Sequence, residues 1–227
     1  MGQMKYVRTL TVTFDTEIEF NEIPLFRGAV LKSLGGNANL LYHNHISDHS
    51  FRYSYPLVQY KCLHGKAAIV CVEDGVDLIG QILSELYGTI NIGKRKTEYK
   101  VDAVHSSKVP IQIENEFFLF QLRNWLPLNS QNYQQYQNTE ELVGKIKILE
   151  RVLTGNILSF LKGIDIHLEE QMIVHITDII NQRVIIYKNV KLMAFDIKFK
   201  TNINLPSYIG IGKNASVGCG VLSKITN

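Results

Sequence analysis

Three histidines fall within seven residues of this 227-residue chain, His43-Asn44-His45 and then His49, inside the polar stretch 37–50. Imidazole titrates near pH ~6.5, so each can give or take a proton at neutral pH. The spacing i, i+2, i+6 in a loop matches no familiar structural zinc pattern, and Cys62 and His64 supply no C-x-x-C partner. No metal and no cofactor is expected, and no acidic cluster stands near the histidines to make a metal-dependent nuclease. Two readings stay open: a polar surface loop, or a general acid or base. His105, His167 and His175 stand alone and read as structural or surface residues. His175 alternates with Met172, Val174 and Ile176, which turns it out of its sheet.

A second concentration lies near the C-terminus. Four of the 16 glycines fall in Gly210-Ile211-Gly212-Lys213-Asn214-Ala215-Ser216-Val217-Gly218-Cys219-Gly220, as two G-x-G pairs. Glycine allows positive φ and close backbone approach, and successive N–H groups in such turns form concave anion sites. Lys213 is the loop's cation, and Asn214 and Ser216 are its short polar side chains. The alternative is a glycine-rich hairpin between two strands. Gly88-x4-Gly93-Lys94 imitates a nucleotide P-loop, but Arg95 stands where Ser or Thr belongs and the segment follows a helix, so that reading is rejected. Lys94-Arg95-Lys96 is then a solvated turn, or a phosphate contact if the ligand is RNA.

Composition bounds these possibilities. The length of 227 residues allows one large domain or two small ones, and hydrophobic residues at 45%, with charged residues at 20%, are enough for a core. A net charge of +3 permits nucleic acid without demanding it. Cys62, Cys71 and Cys219 are an odd set, which fits free thiols in a reducing cytoplasm. The N-terminus has no apolar signal-peptide core, and no apolar run reaches the ~20 residues of a membrane span, so a cytoplasmic protein away from membranes is expected.

The elements that must position these residues read as follows. Residues 5–15 alternate, with Leu10, Val12 and Phe14 opposite Thr9, Thr11 and Thr13, as a strand with one buried face. Residues 24–34 form a helix with Pro24 in its first turn, a stripe of Leu25, Phe26, Ala29, Val30 and Leu34, and a stop at Gly35-Gly36. Residues 51–61 and 66–72 form a hairpin turning at His64-Gly65. Asp74 caps a helix whose face is Val76, Ile79, Leu83 and Leu86, and a basic β-rich stretch runs from Thr89 to Ile113. This order, β-α-β-β-α-β, is the ferredoxin-like one.

The pattern then partly repeats. A strand at 116–126 is followed by a polar segment at 129–138 and a long helix from Asn138, with Glu141 completing a capping box. Leu142, Ile146, Leu149, Leu153, Ile157 and Phe160 line that helix's buried face. A strand at 168–177, a long β stretch at 183–202, the glycine loop and a strand from Val221 to Ile225 close the chain. The expected fold is therefore α+β, two tandem ferredoxin-like units at 1–113 and 114–227, with a C-terminal glycine-rich loop.

Read as G-h-G-x5-G-h-G, with Ile211 and Cys219 at the h positions and a strand at Val221-Leu222, the loop resembles the glycine-rich signature of the RAMP superfamily of CRISPR-associated proteins. Tandem ferredoxin-like (RRM-like) units are that superfamily's architecture. Within it the chain looks most like the repeat-cleaving endoribonucleases that make guide RNAs. Those carry a catalytic histidine after the first helix and ahead of an aromatic strand, which points to His43 or His45 before Phe51-Arg52-Tyr53-Ser54-Tyr55-Pro56. His43 sits best at that position. His49 falls where some members place an assisting lysine, and Leu31, with Lys32 beside it, where some have a tyrosine.

The resemblance implies a metal-independent reaction. The ribose 2′-hydroxyl attacks the adjacent phosphate, with His43 as acid or base and Lys32, Arg52 or His49 stabilising the phosphorane-like transition state. The products are a 2′,3′-cyclic phosphate and a 5′-hydroxyl. Gly210, Gly212, Lys213, Asn214, Ser216, Gly218 and Gly220 would hold the RNA backbone or brace the cleft between the units. Lys94, Arg95 and Lys96 would bind the repeat. The implied partner is CRISPR repeat RNA (pre-crRNA), with further CRISPR-associated subunits or a second copy of the chain as additional partners. Two alternatives stay open: a non-catalytic RAMP subunit that binds crRNA or scaffolds an interference complex, and an unrelated small-molecule-binding α+β protein that owns a glycine-rich hairpin.

Overall fold

The structure, a computed structural model, describes residues 5–34, 55–86, 88–187 and 189–226. Two compact units result. The N-terminal unit takes Val7–Lys108 together with Ser216–Gly218, and the C-terminal unit takes Val109–Ala215, the chain from Cys219 onward, and the residues up to Tyr6.

In the N-terminal unit the order is β1 (Lys5–Glu17), α1 (Ile23–Ser33), β2 (Val58–Leu63), β3 (Lys66–Val72), α2 (Asp74–Glu85), the hairpin β4 (Thr89–Ile92) and β5 (Arg95–Glu98), and β6 (Val101–Ile111). The sheet runs β2-β3-β1-β6, the ferredoxin-like arrangement with one hairpin added. Pairing of β1 and of β2 with β3 is antiparallel, with Val12 opposite Ile69 and Tyr60 opposite it on the other side. Val12 and Phe14 are fully buried, and Phe14 meets the ring of Phe26 on α1 edge-on at 5.9 Å. The β2–β3 turn falls at His64-Gly65, both at positive φ (52° and 80°).

Three details differ from the sequence reading. Thr9 and Thr11, on the second face of the inner strand β1, are buried as well, and the Thr9 hydroxyl meets that of Ser107 on β6 at 2.8 Å. On α1 the residues Phe26, Ala29, Val30 and Leu34 are buried as the period requires, but Leu25 is 48% exposed and lies over the β4–β5 turn at Gly93. Asp74 is not the cap of α2. Glu73 holds that place at φ 49°, tied to β1 by the Arg8 N–H donating to its carboxylate (2.7 Å) and its own N–H donating to the Arg8 carbonyl (3.0 Å). On α2, Val76, Ile79 and Leu83 are half-buried, Leu86 is buried, and Ile82 reaches deepest.

The C-terminal unit holds β7 (Ile113–Trp125), α3 (Ser130–Asn138), α4 (Leu142–Gly163), β8 (Val174–Tyr187), β9 (Val190–Ile203) and β10 (Val221–Lys224). Its sheet runs β10-β7-β9-β8, antiparallel throughout, the same arrangement with the glycine loop where the second helix would be. Phe120 and Phe199 stack at 5.6 Å between the sheet and α4, whose Leu149, Leu153, Ile157 and Phe160 are buried.

Here too the sequence reading is corrected in places. The polar segment 129–138 is helical. Asn129 caps it by accepting the Asn132 N–H (2.8 Å), the Tyr136 ring packs on Phe195 at 5.8 Å, and Arg151 of α4 donates to Gln135 (2.7 Å). One cap and one aromatic anchor make a helix where no apolar period exists. Consequently α4 starts at Leu142 with Glu141 as N-cap, not at Asn138, and Leu142 is 65% exposed. The expected β stretch 183–202 is split between β8 and β9 by a turn with Asn189 at φ 62°. None of the three cysteines forms a disulfide, and burial pushes the Cys71 thiol up to about 12. Among the described residues no helix is long and apolar enough to cross a membrane.

Candidate nucleic-acid interface

The glycine loop is held to β10 by a short ladder: the Tyr208 N–H donates to the Leu222 carbonyl (2.6 Å), the Leu222 N–H to that of Ile209 (2.9 Å), and the Ile211 N–H to that of Gly220 (2.7 Å). Gly210 faces Val221 across this ladder. Ile211, Ala215, Val217 and Cys219 are buried, and so are Gly210, Gly218 and Gly220. Lys213 is exposed, and Gly212, Asn214 and Ser216 are half-buried.

Three glycines are dictated by this path. Gly220 lies at φ 60°, and a Cβ there would sit 1.9 Å from the Ile211 carbonyl oxygen. Gly212 lies at φ 88° on the hydrogen bond from Trp125 Nε1 to Asn156 Oδ1 (3.0 Å), and a Cβ would come within 2.7 Å of that oxygen. Gly218 lies at φ 85°, and its Cβ would fall 2.3 Å from Ile23 Cδ1 at the start of α1. The neighbouring Val217 bridges Tyr60 of β2, whose N–H donates to the Ser216 carbonyl (2.9 Å). The second G-x-G pair is thus a packing device. In the turn Gly212–Asn214 the Lys213 ammonium is exposed to a ligand, while the Asn214 Nδ2 is buried and has no hydrogen-bond partner among the described residues.

A support that the sequence reading missed stands behind the loop. Asn124 forms a bulge in β7 at φ 53°, and its carbonyl accepts the Gly220 N–H (3.0 Å). The bulge is fixed from β9 and β8: the Asn124 N–H donates to Asp196 Oδ1 (2.7 Å), Arg183 pairs with Asp196 at 2.5 Å, and Arg183 Nη2 also reaches Asn124 Oδ1. The signal available in the sequence was an Asn directly before the strand's tryptophan, a residue type that tolerates the left-handed region.

The remaining candidates are distributed as follows. Lys32 is exposed in the last turn of α1, where the helix dipole favours a cation. Lys94, Arg95 and Lys96 form the tip of the β4–β5 hairpin, whose Ile90 and Ile92 are buried. Lys94 and Lys96 project into solvent, whereas Arg95 is bound to Glu22 (2.9 Å) and the Glu17 carbonyl (3.2 Å). Glu22, accepting the Glu19 N–H and facing Arg95, is held below the ordinary carboxylate range. His43, His45, His49 and Arg52 lie outside the described residues.

Two ferredoxin-like units and a glycine loop closing the second define the RAMP type of architecture. Residues 5–109 match the Cas6b N-terminal domain and residues 112–225 the Cas6b C-terminal domain, so the chain belongs to the Cas6b family. An uncharacterised protein of Methanocaldococcus jannaschii is 37% identical over 101 residues, 44% of this chain and 67% of that protein. Among solved structures, a Cas6b superposes with a TM-score of 0.84 at 23% identity, over 97% of this chain and 100% of that one. A second, described as the CRISPR RNA processing endoribonuclease Cas6b, gives 0.75 at 23% identity over the same shares. A type IV Cas6 crRNA endonuclease gives 0.59 at 10% identity, over 98% of this chain and 100% of that one.

Proposed function

We propose that this protein is an endoribonuclease that cuts CRISPR repeat RNA to release guide crRNAs. The observation that carries this reading is the match of both halves of the chain to the Cas6b domains. Cleavage needs no metal. The 2′-hydroxyl of the nucleotide before the cut attacks the adjacent phosphorus, the bond to the leaving 5′-oxygen breaks, and a 2′,3′-cyclic phosphate and a 5′-hydroxyl remain. His43 moves a proton, taking it from the attacking hydroxyl or giving it to the leaving oxygen, a contribution of ~100- to 10,000-fold for one positioned group. Lys32, His49 and Arg52 supply positive charge to the transition state, with His45 as the alternative proton carrier. Lys213 and the Asn214 amide hold the RNA backbone on the glycine loop, and Lys94 and Lys96 extend the contact on the N-terminal unit. The exposure of these lysines supports that assignment.

The test is cleavage of end-labelled repeat RNA in EDTA by the full chain, with His43→Ala and His45→Ala alongside. A single cut that disappears in His43→Ala while RNA affinity holds is the expected result. Equal loss of cutting and binding in that variant removes His43 from proton transfer.

A further inference from the structure

The face of the C-terminal sheet opposite Phe120 and Phe199 carries an exposed aromatic ring, Phe117. Phe120, Phe195 and Phe199 are fully buried, whereas Phe117, at the start of the same β7, is 45% exposed. Its ring lies 6.3 Å from that of His175 on β8, tilted by 39°, and Lys200 Nζ of β9 stands 5.2 Å from its centroid. The register explains the grouping: Lys200 pairs with Leu119 on one side and His175 on the other. The next row on this face is Gln121, Lys198 and Asp178. Glu150, whose Oε1 lies 3.7 Å from His175 Nδ1, and Asp178, opposite Lys198, are the carboxylates at its β8 edge. Opposite Lys200 stand a leucine and an imidazole, so its charge is not offset within its own row.

We propose that Phe117 is a stacking platform for one unstacked base of single-stranded RNA, with His175 bounding the base and Lys200 taking a neighbouring phosphate. The proposal rests on the RNA reading above and adds a binding position that lies apart from the glycine loop and the histidine segment in sequence. An exposed ring beside a cation offers a base a π face and its phosphate a counter-charge at once, the combination that single-strand binders use without reading sequence. A base inside a duplex has both faces covered and cannot use the ring. The platform therefore selects unpaired RNA.

The test compares wild type, Phe117→Ala, Phe117→Tyr and Lys200→Ala on an unstructured single-stranded RNA carrying 2-aminopurine, and on a duplex of the same length. Melting curves establish that each variant is folded. Expected is a loss of single-strand affinity of roughly 5- to 150-fold in Phe117→Ala, little change on the duplex, and recovery in Phe117→Tyr. Lys200→Ala lowers the salt slope by about one phosphate contact, ~0.7 for a single strand. Wild type that binds RNA while Phe117→Ala binds it equally well overturns the platform and leaves the RNA reading standing. Wild type that binds no RNA at low salt overturns both. Equal losses on single strand and duplex also overturn the platform, because they mark a general rather than a stacking effect.

Discussion

The N-terminal and C-terminal units share one strand order and close it differently. In the N-terminal unit the third strand returns to the fourth through α2 and a hairpin, and the elements are held by side chains: Ile82 in the core, Arg8 on Glu73 and Asp77. In the C-terminal unit the same connection is a loop, and it is held by close approach at Gly212 and Gly220. A helix satisfies its own backbone and tolerates change on its outer side. A loop packed this closely does not, because each missing Cβ is a condition of the path. The contrast explains why the loop can carry an exposed cation on a rigid turn, which a helix connection would have placed on a solvated face.

The contrast is broken most severely at Gly220→Ala, where positive φ and the 1.9 Å approach to the Ile211 carbonyl act together. We expect a loss of about 3 kcal/mol or more, read as a lower thermal transition of the full chain. Next comes Arg183→Ala, which leaves the largely buried Asp196 carboxylate without its partner and frees the Asn124 bulge. A loss of about 1–3 kcal/mol is expected, with RNA affinity falling alongside, since the bulge holds Gly220. Gly80→Ala, in a helix interior where a Cβ meets nothing within 4 Å, should do the opposite and stabilise by about 0.5–1 kcal/mol; destabilisation there would erase the proposed difference between helix and loop. The smallest effect on stability belongs to Lys213→Ala. It should leave melting unchanged and flatten the salt dependence of RNA binding by about one phosphate contact. An unchanged slope takes Lys213 out of the RNA path.

Periodicity made most of the fold legible. Val12 and Phe14, the α1 stripe apart from Leu25, and the α4 face from Leu149 to Phe160 are buried where their spacing put them. Elements set by a single local interaction were not. α3 has no apolar period and stands on the Asn129 cap and Tyr136, and the α2 start is fixed by Arg8, far away in sequence. Within the candidate site, G-h-G-x5-G-h-G located the loop, and the buried Ile211 and Cys219 sit at its h positions. The Asn124–Asp196–Arg183 support was illegible because it joins three strands whose register no local pattern reveals.

The central claim is attack by the substrate's own 2′-hydroxyl. Its most direct test is a repeat RNA with a single 2′-deoxy nucleotide immediately before the cut, incubated with the wild-type chain in EDTA beside the all-ribose repeat. The account predicts that the all-ribose RNA is cut to a 2′,3′-cyclic phosphate, while the deoxy RNA binds with similar affinity and stays intact. Cleavage of the deoxy RNA at the same position would contradict it.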